Sequence, residues 1–255
     1  MNHSTQSFAS AAQQPQLIVG LRPVIEAIQA GREIERVLIK TGLDGDLFRS
    51  LLDLLHARHI PIQYVPAEKL NSLTTANHQG VAAFIPLIPY ADLDNIIIDV
   101  TEKGGVPLVL LLDGVTDVRN FGAIARSAEC AGVHAIVTPA KGAAAINADA
   151  LKTSSGALNR IPVCRTPNLR TAIYYLKDSG LQIVSATEKA DMPLYDCDFR
   201  LPTALVVGAE DTGISDAILK CSDVKVKIPL QGAIQSLNVS VAAAVALFEA
   251  VRQRM

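Results

Sequence analysis

Leu108-Val-Leu-Leu-Leu-Asp-Gly-Val-Thr-Asp-Val-Arg-Asn-Phe-Gly-Ala-Ile-Ala-Arg126 is the stretch whose reading decides the fold. Its opening run, 108–112, shows no alternation of apolar and polar residues. The strand it predicts is therefore buried on both faces, as in a parallel sheet covered by helices. Asp113-Gly114 ends the run, and a loop leads into a helix that carries Arg126. Further apolar strands are predicted at 135–137, 181–186, 204–207 and 224–228, alternating with helical patterns. The chain ends in a helix, 239–252, whose Ala- and Val-rich apolar face is broad enough to serve a dimer as well as the core.

Upstream, 18–81 reads as a small α/β unit. Its first helix has Pro23 in the opening turn and Gly31 where a left-handed C-terminal cap belongs. A strand at 36–40 follows, then a helix at 46–58 with Leu47, Leu51, Leu54 and Leu55 at helical spacing, then strands at 61–65 and 81–85. Residues 86–107 turn to Pro, Asp and Gly, with Gly104-Gly105 just before the apolar strand, which predicts a linker. The expected division is a disordered tail over 1–16, a small domain over 17–88, a linker over 89–106 and the larger domain over 107–255.

Composition narrows the function classes. Apolar residues make up 49% of the chain, yet Pro, Gly or charge interrupts every run before the roughly 20 residues a membrane span needs. The polar amino terminus has no basic segment leading into an apolar one, so no secretory signal is read and a cytoplasmic location is expected. Cys130, Cys164, Cys197 and Cys221 form no CxxC pair, and the histidines form no HExxH, so no metal site and no disulfide framework is expected. A net charge of −2 argues against coating nucleic acid by bulk attraction. Locally the balance differs: Arg119, Arg126, Lys141, Lys152, Arg160, Arg165 and Arg170 face only Glu129 and Asp149 over that span. On charge alone that is as compatible with a solvated face as with a phosphate track.

Three segments carry the chemistry, each just after a predicted strand, where open parallel sheets hold their ligands. In the first, Asn120 has the residue type of a helix N-cap, and Arg126 follows close to two turns later. An inward-facing arginine there requires a carboxylate or a phosphate. The second, Val207-Gly-Ala-Glu-Asp-Thr-Gly-Ile-Ser215, runs from a strand into a glycine-bearing turn, with Ser215 as a cap for the next helix. The third, Ile228-Pro-Leu-Gln-Gly-Ala-Ile-Gln-Ser-Leu-Asn-Val-Ser240, joins a strand to the last helix, and Ser236 and Asn238 are either caps or ligand contacts. No GxGxxG or GxxxxGK[ST] loop is present, which speaks against an enzyme built on a nucleotide phosphate cradle.

Taken together, NFGAIAR, GAEDTGIS and IPLQGAIQSLNVSVA resemble the signature set of the SpoU (TrmH-like) RNA 2′-O-ribose methyltransferases, and Gly20-Leu-Arg-Pro-Val-Ile-Glu-Ala-Ile28 resembles the opening of that family's RNA-binding domain. The pattern is most similar to the bacterial members that methylate a guanosine in the P-site loop of 23S rRNA. Leu230 stands where methionine is frequent, and Asp211-Thr212 replace a glycine-containing pair.

The resemblance implies a trefoil-knotted α/β methyltransferase domain with a parallel sheet, preceded by a small L30e-like RNA-binding domain. It implies S-adenosylmethionine as cofactor, RNA as partner and a homodimer. It also implies cofactor contacts at Gly208, Ile228, Ser236, Leu237 and Asn238, and a catalytic set of Asn120, Arg126, Glu210, Ser236 and Asn238. Substrate contacts are implied at Arg126, Arg22, Lys152, Ser154 and Ser155, although Lys152-Thr-Ser-Ser-Gly-Ala157 reads equally as a turn before a strand. Guanidinium is a poor base at neutral pH. The expected role of Arg126 is therefore to hold a phosphate and stabilise a developing alkoxide, with Asn120 fixing its direction and Glu210 orienting the site. A tRNA ribose methyltransferase and a non-catalytic RNA-binding ribosome-assembly protein are the competing readings.

Overall fold

The computed structural model describes residues 17–234 and 236–255; the tail expected over 1–16 lies outside the described residues. The amino-terminal unit contains β1 (Leu17–Val19), α1 (Leu21–Gln29), β2 (Arg36–Lys40), α2 (Asp46–Ala57), β3 (Ile62–Val65), α3 (Ala67–Asn71) and β4 (Val81–Phe84). Its sheet order is β1-β4-β2-β3, with β2 and β3 parallel and β4 antiparallel to both its neighbours. Val24, Ile28, Leu51 and Leu55 bury against Val37, Ile39 and Val81 on the helical side of the sheet. Leu47, expected on that face, is 38% exposed, and Phe48 takes the buried position instead.

The expected linker is not an open one. Residues 93–102 form α4 (Leu93–Glu102), capped by Asp92, whose carboxylate accepts from the N–H groups of Asp94 and Asn95. Ile97 and Val100 are buried, and Ile97 joins the core beneath the larger sheet. The breakers that suggested a linker, Pro86, Pro89, Gly104, Gly105 and Pro107, all lie outside this helix. Its interior keeps a helical apolar spacing that the flanking composition masked.

The larger unit runs β5 (Leu108–Asp113), α5 (Val118–Cys130), β6 (Ala135–Pro139), α6 (Ala148–Thr153), β7 (Val163–Thr166), α7 (Leu169–Asp178), β8 (Gln182–Ala186), β9 (Met192–Pro193), β10 (Thr203–Gly208), α8 (Asp216–Leu219), β11 (Val224–Lys227) and α9 (Val239–Arg254). Seven parallel strands stand in the order β7-β6-β5-β10-β8-β11-β9. Both faces are buried, as the unbroken apolar run at β5 predicts. Leu108, Leu110 and Leu112 point into the core under α5 and α9, and Val109 and Leu111 into the core under α4 and α7. Strands β1, β7 and β9 were not legible in advance. β7 is short, carries Arg165 and is bounded by Pro162 and Pro167, and β9 has only two residues.

The order of strands places the site. From β5 the chain steps outward through β6 to β7, then crosses to the other half, and β10 returns to lie directly beside β5. The crevice at the carboxyl ends of β5 and β10 is thus the point where strand order reverses, the position at which such sheets hold ligands.

Helix α9 buries Ala243, Ala246, Leu247 and Ala250, leaving Val241 and Phe248 each 48% exposed. Its last turn is fastened by Arg254, whose guanidinium donates to the carbonyls of Phe199 (2.8 Å), Val106 (2.9 Å), Pro107 (3.2 Å) and Leu201 (2.9 Å). One planar cation thereby holds α9 to the segments entering β5 and β10. Charged hydrogen bonds contribute about 1.5–3 kcal/mol each when buried, less where water competes. Arg254→Met is therefore expected to lower unfolding stability by about 2–4 kcal/mol in a urea titration, and Arg254→Lys, lacking the fork, to recover less than half of the loss.

His134 lies nearby. Its Nδ1 accepts the Leu108 N–H at 3.0 Å, and burial, with the Arg254 charge adding to it, holds its pKa below the ordinary histidine value. The folded state then binds the proton more weakly than the unfolded chain. Its contribution to stability is complete above about pH 6.5 and is lost as pH falls through the depressed folded value. The thermal midpoint should fall between pH 7.5 and pH 5, and His134→Gln should flatten that slope.

Candidate functional site

The site is built around a glycine that admits no side chain. A Cβ on Gly208 would sit 2.1 Å from the Gly213 carbonyl carbon and 2.2 Å from the Ile214 nitrogen. Strand β10 therefore runs directly against the turn it feeds. That turn is closed by reciprocal backbone bonds between Ala209 and Gly213, at 3.1 and 2.9 Å, with Gly213 in the left-handed region at φ 69°. It is tied across to β5, where Asp113 Oδ2 accepts the Ser215 N–H at 2.7 Å. Ser215 precedes α8, but its side chain makes no capping bond, contrary to expectation.

Asn120 is not the cap of α5. Asp117 is, with Oδ1 accepting the N–H groups of Arg119 (2.9 Å) and Asn120 (2.8 Å). That frees the Asn120 side chain within the first turn. Its Nδ2 donates to Glu210 Oε2 at 3.0 Å, and its Oδ1 accepts from Asn238 Nδ2 at 3.0 Å. Asn238 Nδ2 also reaches Glu210 Oε1 at 3.3 Å, while its Oδ1 caps α9 by accepting the Ser240 N–H at 2.9 Å. Of the two readings of Asn238 the helix cap holds, and its amide nitrogen is spent on Asn120 and Glu210. The triad joins residues 90, 118 and 28 positions apart, one from each of the three segments. Both carboxylate oxygens of Glu210 are thus held by amides, a satisfied polar network of the kind that rigidifies a site.

Beside this triad lies a cavity of about 430 Å³. Of the residues expected at a cofactor, Gly208, Ile228, Ser236 and Leu237 line it, and so does Glu210. Asn238 does not, being turned to Asn120 and Glu210. The sequence reading missed one wall, Ala186, Thr187, Glu188 and Lys189, which follows β8. The signal available for it was positional only: β8 ends at the same edge of the sheet as β10 and β11.

The remaining expected residues scatter. Arg126 is exposed on α5 and makes no hydrogen bond or ion pair among the described residues, so the burial cost of an inward-facing arginine does not arise. Six residues of helix put it about 120° round from Asn120, which therefore does not fix its direction. Ser154 is fully buried and donates to Leu151 O at 2.9 Å, so it is removed from the substrate contacts. Its burial follows from the close approach of α5 and α6. A Cβ on Gly122 would lie 2.7 Å from Ala150 O and 2.8 Å from Thr153 Cβ. Lys152 and Ser155 are exposed at the end of α6, and Arg22 is exposed in the first turn of α1, on the other unit.

Among the described residues no three His, Cys, Asp or Glu side chains gather as metal ligands, and no helix is long and apolar enough to cross a membrane. Burial pushes the Cys164 thiol up to about 12 and the Cys197 thiol up to about 11, so both are inert at neutral pH. Cys130 is exposed.

Comparison with known proteins agrees with this geometry. Residues 107–248 match the SpoU rRNA Methylase family, and residues 17–91 match the RNA 2′-O ribose methyltransferase substrate binding domain. The chain is 33% identical over 243 residues to YacO of Bacillus subtilis, named for the TrmH family of tRNA/rRNA methyltransferases, covering 95% of this chain and 98% of that one. A similarly named protein of Staphylococcus aureus is 37% identical over 240 residues, 93% of this chain and 96% of its own. Among solved structures, the SpoU methyltransferase AviRb from Streptomyces viridochromogenes, in complex with the cofactor AdoMet, superposes with a TM-score of 0.60 at 29% identity over 93% of this chain and 90% of that one. With more than half of its length matched by one family and its three loops joined at the strand-order reversal, this chain belongs to the SpoU rRNA methylase family.

Proposed function

We propose that this chain transfers a methyl group from S-adenosylmethionine (AdoMet) to a ribose 2′-hydroxyl in RNA, and that the substrate is a guanosine of 23S rRNA. The observation that carries the reading is the Asn120–Glu210–Asn238 triad beside a cavity that Glu210 itself lines. The residues present suit the cofactor. Gly208 lets β10 pack against the Gly213–Ile214 backbone that borders the cavity, Ile228, Leu230 and Leu237 give apolar walls for an adenine, and the volume lies within the roughly 300–1,000 Å³ of small-molecule sites. AdoMet has no phosphate, so the lack of a glycine-rich phosphate loop is consistent with it.

Bound there, AdoMet supplies an electrophilic methyl on a sulfonium. The chain's own contribution is positional. The acceptor oxygen must be held in line at about 3–3.5 Å from the methyl carbon. Asn120 and Asn238 hold the Glu210 carboxylate fixed at the edge of the cavity that Glu210 and Ser236 both line. Arg126, unpaired among the described residues, is the group to grip the neighbouring phosphate and stabilise negative charge developing on the ribose oxygen. Lys152, Ser155 and Arg22 are further substrate contacts on this reading.

In the proposed organisation, residues 17–88 grip the RNA and the knotted domain beyond 107 carries the chemistry, with α4 packed on the sheet of the latter. Two copies associate through α9, where Val241 and Phe248 remain half-exposed. The relatives' shared naming for tRNA and rRNA keeps tRNA as the second reading. Mapping 2′-O-methyl groups in 23S rRNA and tRNA from cells with and without the protein tests the assignment. A 23S guanosine should lose its methyl group when the protein is absent, and loss confined to tRNA would replace rRNA by tRNA as substrate.

A further inference from the structure

We propose that Glu188 recognises the ribose of the methyl donor, its carboxylate accepting hydrogen bonds from the 2′- and 3′-hydroxyls. The proposal rests on reading the cavity as the AdoMet site. Strand β8 stands between β10 and β11, so the loop after it opens between the Gly208 turn and Ile228. That loop is a built turn. Thr187 N donates to Val226 O at 2.8 Å, Ala190 N to Thr187 O at 3.2 Å, and Lys189 N to Thr187 Oγ1 at 3.4 Å, which leaves Glu188 at the tip.

Three carboxylates line the cavity, and they are not equivalent. Both oxygens of Glu210 are taken by Asn120 and Asn238, and Asp211 Oδ1 accepts the Thr212 N–H at 2.8 Å. Glu188 is exposed, and neither of its oxygens has a partner among the described residues. Position selects the ligand group. The reacting methyl belongs beside the triad at the ends of β5 and β10, while β8 stands two strands from β5, roughly 10 Å at ordinary strand spacing. The nucleoside end of the donor therefore lies toward Glu188. A vicinal diol offers two O–H donors to one carboxylate, a charge-assisted pair, and acidic residues read ribose hydroxyls in the same way in dinucleotide-binding sheets.

Calorimetric titration of the full chain with S-adenosylhomocysteine and with its 2′-deoxy and 3′-deoxy counterparts tests the assignment. Hydrogen bonds to a charged group predict that Glu188→Ala weakens binding of the ribose ligand about 10- to 100-fold. Glu188→Ala should also bind the ribose and deoxy ligands almost equally, whereas the wild type discriminates between them. Asp191→Ala, at an exposed position of the same loop that does not line the cavity, should discriminate as the wild type does; Glu188 and Asp191 are both exposed, so neither change disturbs the core. An unchanged ribose-to-deoxy ratio in Glu188→Ala overturns the proposal, as does an equal loss of discrimination in Asp191→Ala. A wild-type chain that takes up none of these ligands overturns the cavity reading as well.

Discussion

Gly208→Ala should lose AdoMet binding and about 3 kcal/mol of stability, a large loss for one added methyl group. The new carbon would meet backbone on every side: Gly213 C at 2.1 Å, Ile214 N at 2.2 Å and Gly213 O at 2.4 Å. No rotamer relieves such contacts. The turn must move, and with it the Ala209–Gly213 bonds and the Ser215–Asp113 tie that hold the floor of the cavity. Overpacking typically costs 1–3 kcal/mol where side chains can adjust, and here only the main chain can yield, so a value of about 3 kcal/mol is expected. Urea midpoints and calorimetric titration with AdoMet measure the two effects. Gly232→Ala is the control, because nothing lies within 4 Å of its added carbon. It should leave both quantities unchanged. Retention of donor binding by Gly208→Ala would separate the cavity from the cofactor.

Arg126→Ala should reduce methyl transfer about 10²–10³-fold, the usual consequence of removing a group that stabilises developing negative charge. The side chain is exposed and outside the cavity wall, so thermal midpoint and AdoMet affinity should not move. Arg126→Lys should recover only part of the rate, since an ammonium keeps the charge but loses the planar fork that matches a phosphate. Single-turnover rates on RNA distinguish the outcomes, and full activity in Arg126→Lys would exclude bidentate phosphate binding.

Fold class was legible in advance because strands buried on both faces leave short apolar runs without alternation, as at β5 and β10, here bounded by turn residues and alternating with helical patterns. Helix α4 was hidden because its breakers cluster at its ends, and β7 because Arg165 and two flanking prolines dilute a four-residue strand. At the site, residue type told chemistry but not direction. Asn120 has the composition of a cap, yet Asp117 three residues earlier occupies that role and leaves the Asn120 amide free for Glu210. Whether Arg126 faced in or out depended on which side of α5 meets α6, and that is set by Gly122, whose missing side chain lets the helices touch. Glu188 carries no motif at all. Only the strand order, which brings β8 beside β10, puts it at the cavity.

The half-exposed Val241 and Phe248 give the proposed dimer a physical basis, since α9 is apolar around most of its circumference and part of that surface is uncovered in the single chain. The triad, by contrast, forms within one chain.

Incubation of the purified protein with methyl-labelled AdoMet and 23S rRNA transcripts, followed by digestion to nucleosides, tests the account most directly. Label should appear in 2′-O-methylguanosine and should be lost with Arg126→Ala. Label on a base, or none in any RNA under conditions where the protein binds AdoMet, would contradict it.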